Sequence, residues 1–256
     1  MSYSISISIV SHGQGDLVRN LLDDLDNLVD LDWLNEVILT LNIPEQSDFQ
    51  LKKLPLRLIQ NDIPKGFGAN HNAALKQAKG DYLCVLNPDI RLTDNPFIKL
   101  VKVMKDLNLG LIAPAIVGVD GQFDDSARKF PTFGRLLKRL LFGKHEVYPF
   151  KLTDSFFYPD WVGGMFMLFD RRAFQLVKGF DERYFLYYED VDICVRLWQK
   201  ELPLAVLPHV NVLHQAQRQS HRRLKYLRWH LISMIRFFAK HLGRYPKKHI
   251  SMEDIK

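Results

Sequence analysis

The strongest constraint on this chain is the regular exchange of short apolar runs for helical ones along its first half. Residues 4–10 alternate Ser with Ile, the two-residue period of a strand. Residues 16–29 carry leucines at 17, 21, 22, 25 and 28, the period of a helix with one apolar face. Apolar strands follow at 36–41 and 56–60, then a helix at 68–79, which Gly80-Asp81 stops before a strand at 82–86. A helix at 96–107 and a strand at 110–117 come next, with Asp120-Gly121 as a hairpin turn. Strands alternating with helices predict an α/β fold, its parallel-rich sheet covered on both faces.

The second half is less regular. It reads as a short basic helix at 132–143, a strand at 162–169 that opens on Gly163-Gly164, and helices at 171–177 and 188–200. A strand closes at Leu213, a long amphipathic helix runs over 219–242, and the residues from Pro246 read as a frayed tail. Hydrophobic residues make up 47% and charged residues 25%, enough for a large core and too apolar for disorder. No apolar run reaches the ~18 residues that a bilayer span needs. The first ten residues lack a basic leader pattern and read as a strand, not a signal peptide. Cys84 and Cys194 sit far apart in apolar patterns, which predicts buried, reduced thiols and fits a cytoplasmic setting.

Charge is unevenly placed. The chain carries +6, yet residues 218–248 hold ten Lys or Arg and no Asp or Glu, leaving a mildly acidic body. A basic segment predicts an anionic partner surface. Two readings compete for the helix at 219–242: its apolar residues pack on the body, or 218–248 makes a peripheral contact at the inner face of a membrane. Nucleic acid is not expected, because it leaves the carboxylate cluster at 181–192 without a purpose.

Chemistry gathers in four places. Asn87-Pro88-Asp89 follows the strand at 82–86, at the strand ends where open α/β sheets bind ligands. A carboxylate there suits Mg²⁺ or Mn²⁺ bridged to a diphosphate; the plainer reading is a turn. Residues 65–72, Lys-Gly-Phe-Gly-Ala-Asn-His-Asn, place glycines at a helix start, where backbone amides favour anions. Otherwise, Asn70 and Asn72 merely cap that helix. Residues 179–192 crowd five aromatic side chains beside Asp181, Glu182, Glu189, Asp190 and Asp192. Carboxylates at a helix start can be simple caps, or one can serve as a general base on a hydroxyl. His214, at a strand end, is either structural or a ligand.

Together these motifs resemble glycosyltransferase family 2, in its rhamnosyltransferase-like branch. The resemblance rests on Gly66-Phe67-Gly68-Ala69-Asn70, Gly80-Asp81-Tyr82, Leu86-Asn87-Pro88-Asp89 and the 126–131 run Ser-Ala-Arg-Lys-Phe-Pro. It continues through Trp161-Val162-Gly163-Gly164, Gly179-Phe180-Asp181-Glu182, Tyr188-Glu189-Asp190-Val191-Asp192 and His214. It implies a GT-A fold, a Rossmann-like mixed sheet with helices on both faces over residues 1–216. The nucleotide-sugar half would cover about 1–125 and the acceptor half about 126–216, followed by a basic amphipathic helix and tail at 217–256. By the same resemblance, Asp89 and His214 hold the metal, and Asp190 is the base with Glu189 in reserve. Ser11, His12, Asn42, Gly66, Phe67, Asn70, Asn87 and Asp89 bind a nucleotide diphosphate sugar. Trp161, Gly163, Gly164 and Tyr188 form the wall for a glycan or lipid-linked glycan acceptor.

The sequence departs from the family pattern at Asn87, where an acid is frequent, at the end of Thr40-Leu41-Asn42, where an Asp-Asn pair is common, and at Ser11-His12-Gly13. The expected reaction is one inverting displacement on a nucleotide-bound sugar, with rhamnose favoured by the branch. A sugar-nucleotide pyrophosphorylase and a non-catalytic sugar-binding protein are the alternatives. The first needs a basic glycine-rich loop after strand one, which residues 11–16 lack. The second needs neither Asp89 nor Asp190.

Overall fold

The computed structural model describes residues 3–28, 32–45, 48–53, 55–124, 126–142, 148, 154–215, 224–242 and 244–246. In chain order the elements begin β1 (Ile5–Ser11), α1 (Gly15–Asn27), β2 (Leu34–Leu41), β3 (Leu56–Gln60), α2 (Phe67–Gln77), β4 (Tyr82–Leu86), β5 (Ile90–Arg91), α3 (Phe97–Asp106) and β6 (Leu111–Gly118). They continue β7 (Ala127–Arg128), α4 (Phe133–Phe142), β8 (Trp161–Val162), β9 (Phe166–Asp170), α5 (Arg171–Leu176), α6 (Glu189–Gln199), β10 (Leu204–His214) and α7 (Leu224–His241).

Eight strands form one sheet in the order β3-β2-β1-β4-β9-β6-β10-β5, and β7 pairs with β8 separately. β1, β2, β3 and β4 are mutually parallel, with α1 joining β1 to β2 and α2 joining β3 to β4. β9 runs antiparallel between β4 and β6, so the middle of the sheet is mixed and not parallel-rich. It arrives after a long excursion through β7, α4 and β8.

The Ser/Ile alternation of β1 has a direct physical reading. Ile5, Ile7 and Ile9 join the core on the side of α1 and α3. Ser6 and Ser8 point to the other side, where α2 lies close. Ser6 Oγ donates to Glu36 Oε1 at 2.9 Å and accepts from the Gly80 N–H at 2.8 Å. A Cβ on Gly80 would stand 2.5 Å from Ser6 N, which is why a glycine ends the α2 segment here. In α1, Leu17, Leu21, Leu22 and Leu25 are buried, each adding ~1.5–3 kcal/mol of transfer free energy. Cys84 and Cys194 are buried free thiols, as their apolar settings predict.

Two strand expectations need correction. The run at 162–169 is two strands, β8 and β9, broken at Gly163-Gly164 because those residues serve the site below. The last strand is eleven residues long and starts at Leu204. Pro208 interrupts its pairing with β6, with a register shift between Leu207 and Asn211, and so hides its length in sequence. β5 and β7 span two residues each and leave no periodicity to read.

Candidate active site

Two clefts adjoin, one at the carboxyl ends of β1, β2 and β4 and the other beside β7, β8 and the start of α6. The first, about 410 Å³, is lined by His12, Gln14, Asn42, Lys65, Phe67, Asn70, Asn87 and Asp89, with Phe185, Tyr226 and Trp229 opposite. The second, about 330 Å³, is lined by Trp161, Gly163, Gly164, Tyr188, Glu189 and Asp190, with Arg128, Lys129 and Arg135 on its rim. They share a wall. Phe185 and Leu186 face the first cleft while Tyr187 and Tyr188 face the second. The Phe67 ring, which lines the first cleft, touches Gly164, which lines the second; a Cβ there would sit 3.0 Å from the ring. The Asn87 N–H donates to Met165 O at 2.9 Å across the same wall.

In the first cleft, Asp89 sits in the turn between β4 and β5. Its Oδ1 is buried without a hydrogen-bond partner, and its Oδ2 lies 3.3 Å from His214 Nε2. His214 ends β10, and its Nδ1 lies 2.7 Å from Asp124 Oδ2. Burial pulls the imidazole pKa down, but the two carboxylates outweigh it and hold it above the ordinary value. An orphaned carboxylate oxygen beside an imidazole, itself oriented by a second carboxylate, is a donor set that fits a divalent cation. Among the described residues no cluster of three His, Cys, Asp or Glu is arranged to hold an ion. Two protein donors therefore leave the remaining positions to ligand oxygens and water. Asp124 was not read from the sequence; an acid just after a hairpin turn carries no signal until the fold brings it to His214.

The asparagines of this cleft mostly hold one another. Asn42 Oδ1 accepts from the Lys65 N–H at 2.8 Å and from Asn61 Nδ2 at 2.9 Å. Asn42 Nδ2 donates to Lys65 O at 3.0 Å, and Asn61 Nδ2 also donates to Asn70 Oδ1 at 2.7 Å. This amide network fixes the loop carrying Lys65 and Gly66, so Asn42 and Asn70 shape the cleft from behind. Asn61, directly after β3, stands at a strand's carboxyl end, and that position was its signal. Among the described residues no side chain caps α2. Asn72, read as a cap, instead grips Phe180, donating to its O at 2.8 Å and accepting from its N at 2.9 Å. Ser11 is buried, accepts from the Gln14 N–H at 3.2 Å and does not line the cleft. Gly66 packs against the Phe185 backbone, where a Cβ would come within 2.7 Å.

In the second cleft, α6 begins directly at the chemistry. Tyr187 and Tyr188 have φ of 71° and 68°, a left-handed pair that bulky residues rarely adopt. Such strain persists only where the surroundings enforce it, and it clusters at functional sites. Here it turns the chain so that Glu189 and Asp190 open α6 facing the cleft. Asp190 Oδ2 accepts from the Gly164 N–H at 3.2 Å, and Oδ1 from the Val191 N–H at 2.8 Å. Burial raises its pKa above the carboxylate norm, while these amides and the Arg128 charge pull it back. Glu189 is raised further by its deeper burial and by the neighbouring Asp190, and its Oε2 has no hydrogen-bond partner. Burial and the neighbouring Asp190 thus favour the neutral form of Glu189, while the two amides and Arg128 favour the charged form of Asp190. Trp161 forms one wall, its Nε1 donating to Lys129 O at 3.0 Å and its ring lying 5.3 Å from the Arg128 guanidinium.

The other carboxylates of this segment are structural. Asp192 is fully buried and bonded to Arg196 at 2.7 Å, Lys240 at 2.6 Å and His241 at 2.7 Å. Asp181 binds Arg183 at 2.6 Å and Lys240 at 2.7 Å. Together they clamp α7 onto α6 and bring Tyr226, Trp229 and His230 to the clefts. Sequence reading had left α7 outside the site, because its aromatic residues cannot be aimed before its docking face is known. Arg218, Arg222 and Arg223, which a basic segment could turn toward phosphates, lie outside the described residues, as do Ser220 and His221.

One consequence concerns stability. The folded pKa of Glu189 stands above its ordinary value of 4.5. Its stabilising contribution is complete below that value and is lost as pH rises toward the folded pKa. Glu189→Gln cannot ionise, so its Tm relative to the parent should climb between pH 5 and 8. A gain of about 2–4 °C corresponds to ~1 kcal/mol in a domain of this size. Differential scanning calorimetry across that range checks it; a Tm gap independent of pH rules out the protonated assignment.

The comparisons with known proteins bear on this arrangement. The family model described as Glycosyl transferase family 2 matches residues 6–172. The chain belongs to that family. A model described as N-terminal domain of galactosyltransferase matches residues 147–222. Among curated proteins the glycosyltransferase is similar to Rhamnosyltransferase WbbL of Escherichia coli (strain K12), 29% identical over 92% of this chain and 93% of that protein. It is also 31% identical to N-acetylglucosaminyl-diphospho-decaprenol L-rhamnosyltransferase of Mycobacterium tuberculosis, over 65% of this chain and 61% of that one. A solved structure of GalNAc-T7 with UDP, GalNAc and Mn²⁺ shares the fold, with a TM-score of 0.67, 17% identity and coverage of 99% of this chain and 53% of that chain. The glycosyltransferase therefore has the GT-A fold, and neither a pyrophosphorylase nor a bare sugar-binding protein is favoured.

Proposed function

We propose that this glycosyltransferase is divalent-metal-dependent and inverting, and that it moves rhamnose from a nucleoside diphosphate to a hydroxyl of a lipid-linked glycan. The observation that carries the reading is the shared wall between the Asp89 cleft and the Asp190 cleft. The sugar and the acceptor class follow the rhamnosyltransferase relatives, one of which is named for a diphospho-decaprenol-linked acceptor.

In this reading the nucleoside lies along His12, Lys65 and Trp229, and the diphosphate reaches Asp89. Asp89 and His214 would hold Mg²⁺ or Mn²⁺, which supplies charge neutralisation on the leaving diphosphate. The sugar crosses the wall at Phe67 and Gly164. The acceptor rests on Trp161 and Tyr188, with its hydroxyl at Asp190. Asp190 takes the hydroxyl proton as oxygen bonds to the anomeric carbon and the diphosphate leaves from the opposite face. Burial disfavours a second negative charge on Glu189 beside that base. The Gly164 and Val191 amides hold the Asp190 carboxylate in place, so positioning contributes much of the rate.

A thermal-shift series tests the donor half. Nucleoside diphosphates at about 100 times Kd stabilise the fold by about 2.7 kcal/mol, or roughly 5–10 °C at this size. Deoxythymidine diphosphate with Mn²⁺ is expected to give that shift, and the same nucleotide with a chelator a much smaller one. Equal shifts with and without metal remove the cation from the mechanism.

A further inference from the structure

The inner face of α7 is committed to the body through Ser233, Phe237, Phe238 and His241. Its outer face is also apolar. Leu224, Leu227, Leu231, Ile235 and Leu242 recur at helical spacing and are 50–85% exposed. Phe133 of α4, stacked on Phe238 at 4.4 Å, is exposed beside this stripe and widens it. A contiguous apolar surface on an otherwise well-packed molecule marks a place of contact.

We propose that this face of α7 lies in the headgroup region of an anionic bilayer. Charge decides the occupant. α7 has four Lys or Arg and no acid, and ten such cations fall between 218 and 248. Lys240 is already held by Asp181 and Asp192, but a second copy docked face to face would bring Lys225, Arg228 and Arg236 against their equals, with no carboxylate on α7 to pair them. An anionic lipid surface complements them, at about 1 kcal/mol per cation close to the membrane. A helix with an apolar stripe and a basic flank lies in the plane of the interface. No helix among the described residues is long and apolar enough to cross a membrane, so the contact is peripheral. The geometry adds a consequence. His230 of the same helix lines the acceptor cleft, so docking α7 sets that cleft beside the lipid surface. The inference deepens the proposed lipid-linked acceptor, because such an acceptor is presented from that surface.

The test uses the full chain with vesicles of phosphatidylcholine alone or with one third phosphatidylglycerol. The parent protein should pellet with the anionic vesicles at low salt, weakly with the neutral ones, and be released as salt shortens the Debye length. The triple variant Leu227→Ser, Leu231→Ser, Ile235→Ser leaves the charge unchanged. It should lose vesicle binding by at least about tenfold, with its Tm and its nucleotide-induced shift retained. Arg228→Glu should weaken binding in the same direction. Parent protein left in the supernatant with anionic vesicles overturns the proposal. So does a triple variant that pellets like the parent, or one that only splits a dimer in light scattering. Vesicle binding is read without any donor or acceptor, so its failure is separate from failure of the transferase assignment.

Discussion

Asp190→Asn is expected to give a folded protein that binds donor normally and turns over about 10²–10⁴ times more slowly, the range for removing a general base. The substitution is nearly isosteric. An amide oxygen can still accept from the Gly164 or Val191 N–H, so the start of α6 should survive. What disappears is the carboxylate that the Gly164 and Val191 amides hold at the cleft. Asp181 and Asp192 cannot replace it, because both are bound to cations of their own. Glu189 cannot replace it without ionising in a buried position beside an unpartnered oxygen.

The pH profile gives a second reading of the same residue. Burial raises the Asp190 pKa, so the base is lost on acidification earlier than an ordinary carboxylate would be. The acid limb of kcat should therefore stand above the usual carboxylate range. It should vanish in Asp190→Asn, leaving a low, flat rate. Steady-state kinetics at saturating donor, with donor KM unchanged, make the measurement. A variant with near-parental kcat and an intact acid limb moves the base to another residue.

The fold was largely legible because its first half obeys periodicity. Leucines of α1, the Ser/Ile alternation of β1 and the glycine stop at Gly80 each follow from local rules. What escaped was set by distant contacts. β9 takes its antiparallel place from the strands it lies between, and β10 hides behind Pro208. The site divides the same way. Asp89, Asp190 and His214 stand at element ends, where position alone marks them. Asp124, Asn61 and Trp229 become meaningful only when β10, the asparagine network and the Asp192 clamp bring them in. Local pattern named the residues facing the two clefts, and tertiary packing was needed to name those that hold them.

Asp89→Asn should separate the metal step from the chemistry. In the parent protein Asp89 Oδ1 has no hydrogen-bond partner, an arrangement that costs about 1–3 kcal/mol unless something positive occupies it. Asparagine removes the charge and turns an N–H₂ or a neutral oxygen toward His214. The protein should fold at least as well as the parent without metal. It should lose the Mn²⁺-dependent part of its nucleotide binding, and turnover should fall by about 10²–10⁴, the equivalent of several kcal/mol of charge stabilisation. Asp124→Asn supplies the graded comparison. It leaves both donors in place but loosens the His214 ring, whose Nδ1 lies 2.7 Å from Asp124. Its Mn²⁺ affinity should drop by about 10–100-fold, and excess metal should restore most of its turnover, whereas no metal concentration rescues Asp89→Asn. Calorimetric titration of Mn²⁺ into each variant with nucleoside diphosphate present reads the affinities apart from activity. If Asp89→Asn binds Mn²⁺ as the parent does, the cation is held elsewhere, and the unpartnered oxygen needs another explanation.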